Sequence, residues 1–134
     1  MPSELFRDGR IDDVLEGSRV YCVDRVSTAN GTRLLNGGAG DAVLTSVTLK
    51  VYGPDESELF ASSPAVSAVL KSALTVDGYW PYDSIGYNWF SFVEPTDFAQ
   101  VGGQVVRLEY RLVTANFGID YVNFYKRFVS EISG

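Results

Sequence analysis

Residues 104–112 read Gln-Val-Val-Arg-Leu-Glu-Tyr-Arg-Leu, and no other feature of the chain restricts its fold as much as this two-residue beat. Val106, Leu108, Tyr110 and Leu112 fall on one side, with Val105, Arg107, Glu109 and Arg111 on the other. That alternation marks a half-buried β-strand, because successive side chains leave a pleated backbone on opposite faces. The beat returns in Val47, Leu49 and Val51 against Thr48, Lys50 and Tyr52, and in the aromatic run Tyr87-Asn88-Trp89-Phe90-Ser91-Phe92-Val93, where Trp89 is the expected core residue. Strands with one apolar face bury it against a second sheet. Such a frame displays function on loops and edges, so architecture alone names no activity.

Further strands are expected over 11–15, 18–26, 43–52, 69–76 and 121–132. The stretch 64–76 supports two patterns: Val66, Val69, Leu70, Ala73 and Leu74 have helical spacing after Ser63-Pro64, whereas 70–76 alternates and ends in Asp77-Gly78. The strand is favoured for 69–76. Gly53-Pro54-Asp55 is a turn, since proline stops a ladder and aspartate bonds to nearby backbone. Residues 29–41 hold four glycines and two asparagines and form an expected long loop, with Asn36 and Asp41 as candidate partner contacts. It is no phosphate cradle: no Lys-Ser/Thr pair follows, and a strand comes next. With 134 residues the chain makes one domain, here a polar lead-in over 1–10 and a single unit over 11–134. The reading is all-β, an immunoglobulin-like antiparallel β-sandwich of about seven strands.

Composition removes several function classes. Hydrophobic residues at 46% and aromatics at 13% are too many for a disordered chain. A net charge of −6 without clustered Lys and Arg excludes a surface that tracks phosphate backbones, so no nucleic-acid partner is expected. Cys22 is alone, forms no internal disulfide and reads as a small buried hydrophobe suited to a reducing compartment. The start lacks the charged and apolar regions of a signal peptide, and no apolar run approaches the roughly 18 residues of a membrane span, so a cytosolic protein with no membrane partner is expected.

The chain has no histidine, which removes Ser-His and Cys-His nucleophiles and imidazole metal sites. Asp77, Asp83, Glu94, Asp97 and Asp120 could in principle act as paired carboxylates, but all lie near Gly, Pro or Ser in turns, where aspartate serves local hydrogen bonding. The groups Asp12, Asp13, Glu16 and Asp55, Glu56, Glu58 do not fit a twelve-residue calcium loop. No catalytic, cofactor-binding or metal-ligating residue is therefore assigned. The most suggestive cluster is Tyr79-Trp80-Pro81-Tyr82, with Tyr87 and Trp89. Aromatic rings stack on sugars and anchor protein interfaces, so Tyr79, Trp80 and Tyr82 are candidate partner or glycan contacts. Trp80, between Gly78 and Pro81, reads equally as exposed or buried.

The segments Val47-Thr48-Leu49-Lys50-Val51-Tyr52-Gly53-Pro54-Asp55, Leu74-Thr75-Val76-Asp77-Gly78-Tyr79-Trp80, Trp89-Phe90-Ser91-Phe92-Val93-Glu94-Pro95 and 105–112 together resemble the small immunoglobulin-like virion proteins of tailed bacteriophages, including the amino-terminal domain of baseplate upper proteins. The resemblance implies a noncatalytic building block assembled in the host cytoplasm into the head–tail neck or connector, the tail or the head surface. It implies a homo-oligomeric ring or repeated copies, with other neck, tail or capsid subunits as partners and no cofactor. The segments a packed sandwich does not need, 1–10, 29–41 and 80–86, are expected to make the contacts. A carbohydrate-binding β-sandwich module using the loop aromatics is the alternative.

Overall fold

The computed structural model describes residues 11–27, 34–36, 43–115 and 118–130. They form eight strands and one helical turn: β1 (Ile11–Leu15), β2 (Val20–Asp24), β3 (Leu44–Tyr52), β4 (Glu58–Ser62), α1 (Val66–Val69), β5 (Leu70–Thr75), β6 (Tyr87–Val93), β7 (Val105–Thr114) and β8 (Gly118–Val129). The strands build a five-stranded sheet, β1-β8-β7-β3-β4, and a three-stranded sheet, β2-β6-β5. The chain crosses between layers at β1–β2, β2–β3, β4–β5 and β6–β7 and forms hairpins within a layer elsewhere, the order of an immunoglobulin-like sandwich with one added edge strand, β4.

The alternation read in 104–112 is the alternation observed. Val106, Leu108, Tyr110 and Leu112 are buried, as are Val47, Leu49 and Val51 on β3 and Val122, Phe124 and Phe128 on β8. From the other layer Val20, Cys22, Leu70, Trp89 and Val93 meet them. Tyr110 ties the layers together: its ring packs edge-on against Trp89 at 5.0 Å and Phe124 at 5.8 Å, and its hydroxyl donates to Ser91 Oγ at 2.6 Å. Burial pushes the Cys22 thiol up to about 11, which keeps it a neutral, inert part of that core.

Three details depart from expectation. The strand count is eight among the described residues, because Glu58-Leu59-Phe60-Ala61-Ser62 pairs with β3 as a short edge strand despite lacking clean alternation. The pairing is not wholly antiparallel: β1 runs parallel to β8, and the intervening domain serves as the crossover that parallel strands require. Asp12 pairs with Lys126 at 3.3 Å and Asp13 with Arg127 at 2.7 Å, partners that lie directly opposite in the ladder and favour its register. The strand favoured for 69–76 is present as β5, and the departure is the single helical turn over Val66–Val69 that runs directly into it.

Candidate functional site

The connection between β5 and β6 is built around two aspartates rather than left loose. Asp77 accepts the Tyr79 N–H at 3.0 Å and the Tyr87 hydroxyl at 2.7 Å. Asp83 accepts the Trp80 indole N–H at 2.8 Å, the backbone N–H groups of Ile85 and Gly86, and Arg25 Nη1 at 2.8 Å. The Trp80 and Arg25 hydrogen bonds hold the Asp83 carboxyl well below the usual carboxylate range. Gly86 closes the loop at φ 104°, where a Cβ would lie 2.6 Å from the Thr75 carbonyl oxygen.

This scaffold decides the fate of each loop aromatic. Trp80 is only 3% exposed, packed edge-on against Tyr82 at 5.0 Å and tilted against Tyr87 at 5.8 Å, so it is a structural anchor and not a binding platform. Tyr79 turns outward and is 51% exposed. There it meets residues that the sequence reading passed over. Tyr21 on β2 lies opposite Phe92 on β6 in the ladder, so both rings leave the same outer face of the small sheet, next to Phe90. The Tyr79 ring stands 5.0 Å from Phe90 and 5.4 Å from Tyr21, and Tyr21 stands 5.8 Å from Phe90 and 6.0 Å from Phe92. Phe92 is 43% exposed.

Two cations border these rings. The Arg19 guanidinium lies 4.7 Å from the Phe92 centroid and pairs with Glu94 at 3.1 Å, while Lys71 Nζ lies 5.4 Å from the Phe90 centroid. The signal that could have found this face was present: an aromatic strand carrying Trp89 inward must carry Phe90 and Phe92 outward.

Beside the face, where edge strands β1 and β2 belong to different sheets, a small cavity of about 140 Å³ is lined by Asp12, Tyr21, Tyr79, Tyr82 and Lys126. Of the sequence candidates, Tyr79 and Tyr82 therefore share a site. Trp80 lies beneath it, and Asn36 is held elsewhere, its N–H donating to the Lys71 carbonyl at 2.8 Å. Asp41 lies outside the described residues, as do most of the 29–41 loop and the 1–10 lead-in.

The remaining carboxylates have local work. Asp97 accepts the Glu94 N–H at 3.0 Å, and Asp120 accepts the Tyr121 N–H at 2.8 Å. Among the described residues no group of three or more His, Cys, Asp or Glu converges as a metal site, and no helix is long and apolar enough to cross a membrane. Compared with known family models, curated proteins and solved structures, the chain matches none.

Proposed function

We propose that this chain is a noncatalytic structural protein of a tailed-phage virion, assembled in the host cytoplasm at the head–tail neck, the tail or the head surface, and that it docks to partner proteins through the aromatic face of its three-stranded sheet. The observation that carries the reading is the outward-facing cluster of Tyr21, Tyr79, Phe90 and Phe92, in which Tyr79 and Phe92 are exposed and Tyr21 and Phe90 half-buried, bordered by Arg19 and Lys71. Interfaces are enriched in aromatic anchors and arginine, and a sheet face that displays several rings to water has a large apolar area to bury. The structural employment of Asp77, Asp83, Asp97 and Asp120 supports a noncatalytic role, since each carboxylate already receives local donors. The test is co-sedimentation of tagged chain with purified particles. Wild-type chain should appear in the particle fraction, Phe92→Asp should fold yet be depleted there, and equal incorporation of both would overturn the docking role.

The cavity of Tyr21, Tyr79, Tyr82, Asp12 and Lys126 favours a second reading, a carbohydrate-binding module, because rings beside a polar pair can stack on and hydrogen-bond a sugar. Titration calorimetry against a glycan panel tests it. Saturable binding lost in Tyr79→Ala and Tyr82→Ala would select it. Trp80→Ala is the wrong probe, because that ring is buried.

A further inference from the structure

Lys126 stands where the strand pattern calls for an apolar residue. It follows Val122 and Phe124 and precedes Phe128 on the inward face of β8, and like them it is buried. The parallel ladder sets it directly opposite Asp12 on β1, and its Nζ lies 3.3 Å from Asp12 Oδ2. The two side chains are 8% and 27% exposed, so both charges have given up most of their water. The setting is aromatic: Nζ lies 5.9 Å from the Phe124 centroid, and Tyr21, Tyr79 and Tyr82 line the small cavity beside the pair. The charges of Lys126, Asp12 and Asp24 all act on the buried Cys22 thiol, which places a second carboxyl group, itself fully buried, in the same pocket. At the next rung Asp13 and Arg127 form an outward, exposed pair at 2.7 Å. That guanidinium holds the strands in step, whereas the Lys126 amine is a nucleophile held beside a carboxyl carbon.

We propose that Lys126 and Asp12 condense to an intramolecular amide that joins β8 to β1. The new bond runs from Lys126 Nζ to Asp12 Cγ, and the bond from that carbon to one carboxylate oxygen breaks. The ammonium gives up two protons, which Asp24 passes to the departing oxygen, and water leaves through the adjoining cavity. The charges cancel, so the ion pair becomes a neutral amide with no oxidant or co-reactant. Two features favour closure. The ladder holds amine and carboxyl close to the roughly 3 to 3.5 Å at which reacting groups attack. A buried ion pair also bears a desolvation cost that its attraction rarely repays, and a neutral amide removes that cost. A link across a separation of 114 residues restricts the unfolded chain and stops β1 from peeling off β8, whatever the module docks to.

Intact-mass spectrometry of the purified full chain, denatured before injection, tests this. The wild-type chain should weigh one water less than its sequence. Trypsin should then yield a branched peptide joining residues 11–19 to 112–127, because an acylated Lys126 is no longer a cleavage site. Lys126→Arg, which keeps the charge and the pairing with Asp12, should have its full sequence mass, as should Asp12→Ala. Asp24→Asn should slow the loss of water. Circular dichroism checks that each variant folds, and Lys126→Arg should melt below wild type because the link is gone. A succinimide at an Asp-Gly pair also removes one water, but it would persist in Lys126→Arg and would give no branched peptide. A folded wild-type chain at its full sequence mass overturns the inference, and so does a loss of water that survives Lys126→Arg.

Discussion

Replacing Trp80 with alanine should cost about 3 to 5 kcal/mol, the usual range for deleting a buried Trp, because the ring is 3% exposed and packs between Tyr82 and Tyr87. Most of the loss is apolar burial and the void left behind. The indole N–H adds less, since Asp83 keeps Arg25 and the Ile85 and Gly86 N–H groups as donors and has water access. Trp80→Phe, which keeps most of the ring and deletes that donor, should therefore cost only about 1 to 2 kcal/mol. Unfolding entropy of about 2.1 cal/mol/K per residue over 134 residues gives about 0.28 kcal/mol/K at the midpoint. The alanine variant should then melt about 11 to 18 °C below wild type. Tyr79→Ala, at the adjacent residue but half in water, should lose under about 1 kcal/mol. Urea unfolding followed by fluorescence and circular dichroism, with an unchanged slope, is the assay. If Trp80→Ala fell within about 0.5 kcal/mol of wild type, the β5–β6 connection would not be organised around that ring.

Leu108→Ala should cost about 2 to 5 kcal/mol through lost core contacts, whereas Arg111→Ala on the opposite face should stay within about 0.5 kcal/mol; equal values in chemical denaturation would mean the β7 register is displaced by one residue. Asp83→Asn should remove a pH-dependent part of stability. The folded-state carboxyl lies below its ordinary value, so its contribution is full above the unfolded pKa of about 4 and fades as pH falls through the folded one. The stability gap between wild type and Asp83→Asn should accordingly be constant near neutrality and narrow in acid, and a gap that widened in acid would contradict the assignment. Gly86→Ala should lower the melting temperature, because a side chain at φ 104° is strained and its Cβ would clash with the Thr75 backbone; a variant as stable as wild type would show that the turn can relax.

How much was legible varies by residue. Val106, Leu108, Tyr110 and Leu112 announced their face because a strand has a period of two and water reaches only one side of this sheet. Trp89 in the core, Cys22 as a buried hydrophobe and the turn at Gly53-Pro54-Asp55 follow from equally local rules. Edge strand β4 was hidden because one neighbour and a short length leave little burial to pattern it. In 64–76 local spacing offered a helix and a strand, and the chain uses one after the other because Leu70 pairs with Trp89 across β6.

The candidate site was only half visible. Tyr79 and Tyr82 stood out in the sequence as a loop cluster, but their union with Tyr21, Phe90 and Phe92 depends on which strands lie side by side, and no local window contains that. Trp80 shows the same division most sharply. Its flanking Gly78 and Pro81 told of a turn, and only the convergence of Asp83, Tyr82 and Tyr87 sent the indole inward while its neighbour Tyr79 went out. The sequence by itself determined the alternation, the layers and the lack of histidine chemistry, because those depend on residue type and period. The strand order, the parallel β1–β8 pair and the aromatic face were decided by tertiary structure, because they depend on contacts between residues tens of positions apart, where burial and pairing override local preference.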